Sequence, residues 1–316
     1  MKVIRLVILS SIGFMLLCPV FGLAPQKSKI AFVSNVDGLG IDIMNPDGRE
    51  RKKLITHSRN INQLAWSPSG EHILFGARNS EGNHDIYIVN ADGSDVMKLF
   101  DTPNYKRQPA WSPDGNKIAY MAYSKIWESW SIYVATIDGK LIAPVIRVGK
   151  NGGDPAWSPD GTEIAYVDDG VYQRNIYVYN IETQQQRILI KHNPSWMAYP
   201  TWSPDGEKIA FYWGLGNLSG VFSVNSDGTE MKRIVGIEET GIRSLTWSPG
   251  GKYLLYSQPV DDSLHLFKIN IYSGKIVQLT DEGKNFDAIW YDPSPMSVFP
   301  SESKLTTTWG EIKSSN

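Results

Sequence analysis

Short apolar runs alternate with polar turns along nearly the whole chain, and no apolar period of helical spacing outlasts a turn. The runs are strand-like, rich in Ile, Val, Tyr and Phe, and they are punctuated by Asp-Gly, Ser-Gly and Ser-Pro. The pattern also repeats. Trp66-Ser67-Pro68-Ser69-Gly70, Trp111-Ser112-Pro113-Asp114-Gly115, Trp157-Ser158-Pro159-Asp160-Gly161, Trp202-Ser203-Pro204-Asp205-Gly206 and Trp247-Ser248-Pro249-Gly250-Gly251 are one unit. Their tryptophans lie 45, 46, 45 and 45 residues apart, and a degenerate copy stands at Trp290, 43 further on.

Each unit reads as four strands. The first ends in the tryptophan, and Ser-Pro closes it because proline cannot donate to a ladder. Asp-Gly or its equivalent turns the chain. The second strand is Ile73-Leu74-Phe75, Ile118-Ala119-Tyr120, Ile164-Ala165-Tyr166, Ile209-Ala210-Phe211 or Leu254-Leu255-Tyr256, its aromatic always nine residues after the tryptophan. The third strand carries Asp85-Ile86-Tyr87, Ser131-Ile132-Tyr133, Asn175-Ile176-Tyr177, Val221-Phe222 or Leu266-Phe267, and a fourth ends near Leu99, Val148, Leu189, Ile234 or Leu279. Such a sheet is apolar on both faces and cannot bury both alone, so radial repetition is expected.

The ends are complementary. Ile30-Ala31-Phe32, Asp42-Ile43-Met44 and Lys53-Leu54-Ile55 supply strands two to four of a unit with no first strand, and Ala288-Ile289-Trp290 supplies a first strand. Pairing them closes a six-bladed all-β propeller without an open edge. The alternative is seven blades, because Val298-Phe299 and Leu305 to Trp309 also read as β.

Trp-Ser-Pro-Asp-Gly, then Ile-Ala-Tyr/Phe, then Asp-Ile-Tyr and Asp-Gly, resembles the WD-like repeats of the TolB-type six-bladed propeller superfamily, from Ile30 to about Trp290. The resemblance implies the fold and leaves the task open, since this repeat serves many functions. The expected chain runs directly from a signal segment to the propeller, without the N-terminal α/β domain that TolB carries. A hydrolase domain of the prolyl peptidase kind is not expected, because no Gly-x-Ser-x-Gly elbow is present.

Residues 1–22 read as a secretory signal, with Lys2 and Arg5 ahead of an apolar Leu6 to Leu17 core. Cleavage after Gly22 would leave a linker at 23–29, the propeller at 30–313 and a tail at 314–316. An uncleaved anchor is the rival reading. The localisation expected is periplasmic or extracellular, with no membrane insertion of the mature chain. Taking Lys2 and Arg5 off the 31 basic residues leaves 29 against 33 acidic, a net of −4. That balance argues against nucleic-acid binding, which needs a basic footprint. Cys18 is the single cysteine and falls inside the signal, so the mature chain offers no disulfide or thiolate.

In this architecture the first strands line a central channel. Three residues before each tryptophan stand Gln63, Gln108, Asp154, Tyr199, Ser244 and Asp287; four before stand Asn62, Arg107, Gly153, Ala198, Arg243 and Phe286. These vary while the motif beside them repeats, as expected of an adaptable rim on a fixed scaffold. Arg107, Asp154, Tyr199, Arg243, Asp287, Gln63 and Gln108 are therefore the candidate ligand or partner contacts. A solvated funnel without a specific ligand is the bland alternative. Trp127, Trp130, Trp196 and Trp213 break the repeat and are candidate interface aromatics, as sugar platforms, partner contacts or covers for blade edges.

The Asp-Gly pairs read as turns rather than calcium loops. Asp168-Asp169 reads as a solvated loop, and Asn217-Leu218-Ser219 fits a glycosylation tripeptide. His57, His72, His84, His192 and His265 fall at unrelated repeat positions, so neither a metal site nor a cofactor is expected. The reading that results is a non-enzymatic exported scaffold that binds a protein, peptide or glycan through its channel mouth and loops. The alternative is a polysaccharide-acting lyase or hydrolase with its site in the channel, which would require clustered histidines or carboxylates on the inner strands.

Overall fold

The computed structural model describes residues 23–294 except 58–59, 101–104, 125–127, 139, 150–151, 169–173, 192–195, 215–219 and 237–240. The expected signal segment with Cys18, Trp127, Asp169, His192, the tripeptide at 217–219, and the β-like stretches at 298–299 and 305–309 lie outside them.

Twenty-four strands form six four-stranded antiparallel sheets among the described residues. The chain opens with β1 (Lys29–Ser34), β2 (Gly40–Met44) and β3 (Lys52–Thr56). Blade one follows as β4 (Asn62–Trp66), β5 (His72–Arg78), β6 (His84–Asn90) and β7 (Met97–Lys98). Blade two is β8 (Lys106–Trp111), β9 (Lys117–Ser124), β10 (Ser129–Thr136) and β11 (Leu141–Val148). Blade three is β12 (Gly153–Trp157), β13 (Glu163–Asp168), β14 (Asn175–Asn180) and β15 (Gln186–Ile190). Blade four is β16 (Trp196–Trp202), β17 (Lys208–Gly214), β18 (Gly220–Asn225) and β19 (Lys232–Gly236). Blade five is β20 (Leu245–Trp247), β21 (Tyr253–Val260), β22 (Ser263–Asn270) and β23 (Ile276–Gln278). Finally β24 (Asn285–Tyr291) pairs antiparallel with β1, so the closing blade is ordered β24-β1-β2-β3. The ring therefore closes at six blades through ladder hydrogen bonds, joining the two ends of the propeller.

Several repeated features of the motif have contacts that explain their repetition. The second-strand aromatic sits directly opposite the third-strand aromatic in each complete blade: Phe75 and Tyr87, Tyr120 and Tyr133, Tyr166 and Tyr177, Phe211 and Phe222, Tyr256 and Phe267. All five pairs stack, with centroids 5.5 to 6.1 Å apart. Cross-strand aromatic pairs of this kind each add about 0.5–1 kcal/mol. The tryptophan bridges blades. Trp157 packs with Ala119, Met121 and Ile132 of blade two and with Ile164 and Tyr166 of its own blade. Its indole N–H donates to the Ala110 carbonyl of blade two at 3.2 Å, and Trp247 does the same to Thr201 of blade four at 3.2 Å.

The serine and the turn glycine are equally specific. Ser158 is buried; its hydroxyl accepts the Glu163 N–H at 2.9 Å and donates to Asp160 at 2.6 Å. This knits the turn shut from inside. Gly161, at φ 74°, lies against the ring of Pro113 from the preceding blade, and a Cβ there would stand 3.3 Å from it. In blade one the neighbour is instead Tyr291 of the closing blade, and a Cβ on Gly70 would fall 2.1 Å from its ring.

The closing blade departs from the others. By letters Asp42-Ile43-Met44 matches Asp85-Ile86-Tyr87, but counted back from the Asp-Gly turns at 47–48 and 92–93 it is Asp42 that corresponds to Tyr87, and the strand pairing agrees. Phe32 faces Asp42, where Phe75 faces Tyr87. Asp42 thus replaces an aromatic ring in a position that is 2% exposed. Its charge is compensated by Arg51 at 2.9 Å and Lys53 at 2.7 Å. The Arg51 guanidinium lies 5.2 Å over the Phe32 ring and donates to Ser34 at 2.7 Å and to Asn285 of β24 at 3.1 Å. An arginine-centred network replaces the ring stack at the seam where the two ends meet.

Gly70→Ala and Gly161→Ala combine a left-handed backbone with a blocked Cβ, whereas Gly250→Ala meets nothing within 4 Å. Urea unfolding is expected to show losses of about 1–3 kcal/mol for the first two, larger at Gly70, and about zero for the third. Equal losses at all three would contradict the inter-blade role of the turn glycine.

Candidate functional site

The inner strand of a blade cannot keep regular pairing while it curves round the channel. In five blades it bulges at one place, the residue three before the tryptophan. Gln63, Gln108, Asp154, Tyr199 and Asp287 have φ of 50°, 57°, 53°, 55° and 50°, in the left-handed region that non-glycine residues seldom occupy. The ladder skips there in each case, between Asn62 and Leu64, Arg107 and Ala110, Gly153 and Ala156, Ala198 and Thr201, and opposite Ala31 to Val33 on β24. Proline follows in three of them, at 109, 155 and 200, as suits a position without a ladder partner. Each such backbone costs on the order of 1–2 kcal/mol.

The bulge turns one backbone N–H out of its own sheet, and at four of the five bulges a side chain of the neighbouring blade accepts it. Asp287 accepts the Gln63 N–H at 2.7 Å, and Gln63 accepts the Gln108 N–H at 3.0 Å. Gln108 accepts the Asp154 N–H at 3.2 Å, and its side-chain amide donates to the Asp154 carboxylate. Asp154 accepts the Tyr199 N–H at 3.2 Å. In blade five Ser244 has no left-handed bulge; its hydroxyl accepts the Ala288 N–H at 3.3 Å and meets Ser257 at 3.3 Å. The chain of bonds thus passes from blade to blade round the channel and is interrupted at one step only among the described residues, from blade four to blade five. There the side chain is Tyr199, which offers a phenol instead of an amide or carboxylate oxygen.

These residues face one cavity of about 320 Å³, lined by Gln63, Gln108, Asp154, Tyr199, Arg243 and Asp287 with the inner strands beneath them. The structure therefore brings together six of the seven residues singled out as ligand contacts. Within that set the inter-blade bonds occupy both Asp154 oxygens, one Asp287 oxygen and the Gln63 and Gln108 carbonyls. Among the described residues the Tyr199 hydroxyl, the exposed Arg243 guanidinium and the second Asp287 oxygen keep no hydrogen-bond partner. The opposite end of the channel is a smaller apolar cavity of about 210 Å³ walled by the repeated tryptophans and prolines.

The seventh residue, Arg107, stands behind the ring. Its guanidinium stacks 4.1 Å over Trp130, and Trp130 meets Tyr123 edge-on at 5.6 Å. Arg174 repeats the arrangement in the next sector, 3.4 Å over Trp196 with a bond to the Met197 carbonyl at 3.2 Å. Arg174 sits in an unrepeated loop, and no periodic signal marked it. Of the candidate interface aromatics, Trp196 is 55% exposed, Trp130 is half-buried, and Trp213 is buried because β17 turns it inward against Phe211 and Phe222. Trp213 is therefore a core residue and not an exposed contact.

Burial dominates the electrostatics. It raises the Asp287 carboxyl to about 7, with the Gln63 N–H opposing, the Asp154 charge adding and Arg243 opposing. Burial also raises Asp154, against the Tyr199 N–H, Arg174 and Arg107. The Tyr199 phenol is raised by burial and by both carboxylates. Burial lowers Arg107, opposed by Asp154. Among the described residues no three of His, Cys, Asp and Glu converge as metal ligands would.

In the folded protein Asp287 holds its proton up to about pH 7, while an unfolded aspartate releases it near 4. Folding therefore carries a proton between those values, and the contribution of this group to stability falls as pH rises from about 4 to about 7, with a limiting slope of about 1.4 kcal/mol per pH unit. Asp287→Asn keeps an oxygen for the Gln63 N–H and should remove that fall. The thermal midpoint of the variant is expected to gain on the parent between pH 5 and pH 8; a constant difference would contradict a buried, proton-holding Asp287.

A family model described as the TolB beta propeller domain matches residues 106–307, and one described as the WD domain, G-beta repeat, matches residues 48–83. No curated protein matches the sequence. Among solved structures, TolB from Acinetobacter baumannii is similar at a TM-score of 0.70 and 19% identity over 83% of this chain. That match covers 66% of the TolB chain, just under two thirds of its length. A chain in a nidogen/laminin complex is similar at a TM-score of 0.67 and 13% identity, over 84% of this chain and 99% of that one. A puromycin-hydrolyzing peptidase of Mycobacterium tuberculosis reaches a TM-score of 0.55 and 14% identity, over 81% of this chain and 44% of that one. At such identities the structural likeness speaks for the fold alone.

Proposed function

This chain belongs to the TolB beta propeller domain family, and from that premise we propose that it is an exported, non-enzymatic scaffold that recognises a protein, peptide or glycan through its channel mouth. The observation that carries the reading is the interruption of the inter-blade ring, the single one among the described residues. There, where blades four and five meet, Tyr199 and the exposed Arg243 face the cavity beside the second oxygen of Asp287. Elsewhere round the channel the polar side chains are spent on holding neighbouring blades together. Export rests on the basic and apolar pattern of the first 22 residues.

One observation favours the alternative, a polysaccharide-acting enzyme. A carboxyl that titrates near 7, as Asp287 does, suits a general acid or base. Against it, the two channel carboxylates each bind a backbone N–H of the next blade, which fits a positioning role for both. The peptidase noted above matches this chain over less than half of its own length.

The double variant Arg107→Ala plus Arg243→Ala tests the mouth. With an unchanged circular dichroism spectrum it is expected to lose the partner that the parent protein captures from a native envelope extract. Capture of the same partner by both would contradict the mouth as the binding surface, and turnover of a polysaccharide by purified protein would favour the enzyme.

A further inference from the structure

The unpartnered groups at the mouth belong to four consecutive blades. Gln63 of blade one gives its side-chain oxygen to the Gln108 N–H, and its amide nitrogen has no partner among the described residues. In the same sense Asp287 of the closing blade keeps one free oxygen, Arg243 of blade five a free guanidinium and Tyr199 of blade four a free hydroxyl. All four residues line one cavity. In the two remaining blades Gln108 and Asp154 are bonded to each other. Open hydrogen-bonding positions therefore follow the rim through blades four, five, closing and one, and stop at blades two and three.

The charges that line the cavity come close to cancelling. They are Arg243, Asp154 and Asp287. The Asp287 carboxyl, raised to about 7, is protonated in about half the molecules at neutral pH. One guanidinium thus faces one carboxylate and a second that is half neutralised, which leaves a cation or an anion little net attraction. The ligand that gains most is uncharged, and it must meet Asp287 in both protonation states. A hydroxyl does so, because it donates to a carboxylate and accepts from a carboxylic acid. An amide N–H or an ammonium does only the first.

We propose that the mouth cavity is a subsite for one uncharged sugar ring, the end unit of a glycan, whose hydroxyls bond Tyr199, Arg243, Asp287 and Gln63. This rests on the reading of the mouth as a binding surface and names its ligand class. The distribution of the free groups separates a sugar from a peptide side chain. An amide side chain presents its donors and acceptor at one end, whereas a pyranose carries hydroxyls round its perimeter, as groups spread over four sectors of a rim require. Size and wall agree. The cavity of about 320 Å³ stands at the lower end of ligand pockets, which run from about 300 to 1,000 Å³. Below the rim Pro109, Pro155 and Pro200 give it apolar walls.

The methyl glycosides of glucose, galactose, mannose and N-acetylglucosamine provide the probes, alongside galacturonate and a decapeptide of alternating Gln and Gly, with saturation-transfer NMR as the readout of Kd. At least one neutral glycoside is expected to bind more tightly than galacturonate and than the peptide. Tyr199→Phe removes one hydroxyl and keeps the ring, and Arg243→Gln alters an exposed position. Each should weaken that glycoside by about threefold to tenfold, as the loss of one hydrogen bond implies, with the thermal midpoint unchanged. Trp196→Ala, at the exposed indole outside the cavity, should leave the Kd as it was. No binding by any neutral glycoside, tighter binding of galacturonate or of the peptide, or a loss in Trp196→Ala with none in Tyr199→Phe would overturn the proposal. If no glycoside binds while the envelope partner is captured by the parent and lost in the Arg107/Arg243 double variant, the mouth remains a binding surface and only the sugar falls. If that double variant keeps every ligand and partner of the parent, both readings fall together.

Discussion

A bulged inner strand leaves a backbone N–H that its own sheet cannot satisfy, and the rest of this propeller depends on where that donor goes. A buried donor left without an acceptor costs roughly 1–3 kcal/mol, on top of the left-handed backbone that created it. Here the donor is passed to the side chain of the preceding blade at Gln63, Gln108, Asp154 and Tyr199, and Ser244 does the equivalent for Ala288. The bonds are small individually, at about 1 kcal/mol net. Their effect is geometric. They fix the angle between neighbouring blades at the channel wall, so the cavity is a consequence of how the ring is held. The indoles of Trp157 and Trp247 each donate to the blade before, and the turn glycine likewise receives a proline from the blade before.

Much of this was legible in the sequence. The aromatic nine residues after the tryptophan and the aromatic of the third strand correspond to stacks that recur in each complete blade. Closure at six blades followed from a missing strand at one end and a spare one at the other. Two features were not legible. The closing blade carries Asp42 where the other blades carry the third-strand aromatic, and this residue relies on Arg51 and Lys53, charges that only the register brings together. The rim residues looked variable because Gln, Asp and Ser differ as letters, yet as hydrogen-bond acceptors they are interchangeable. What seemed an adaptable rim is in most sectors a repeated structural device, and Tyr199 is the member that departs from it.

That distinction sharpens the functional reading. Gln63, Gln108 and Asp154 are committed to the scaffold, so altering them would disturb the channel as well as any ligand. Tyr199 and Arg243 stand where the scaffold makes no such demand. A family whose fold serves many tasks can change partner at such a sector without disturbing blade packing. The proton held by Asp287 gives this sector a chemical character of its own.

Backbone hydrogen exchange at the bulge residues addresses the central claim most directly. In the parent protein the amides of Gln63, Gln108, Asp154 and Tyr199 should be protected although none pairs within its own sheet. In Gln108→Met the Asp154 amide should lose protection while the Tyr199 amide, held by the Asp154 carboxylate, keeps it. An Asp154 amide that exchanges equally slowly in parent and variant, or rapidly in both, would contradict a channel held by bonds between blades.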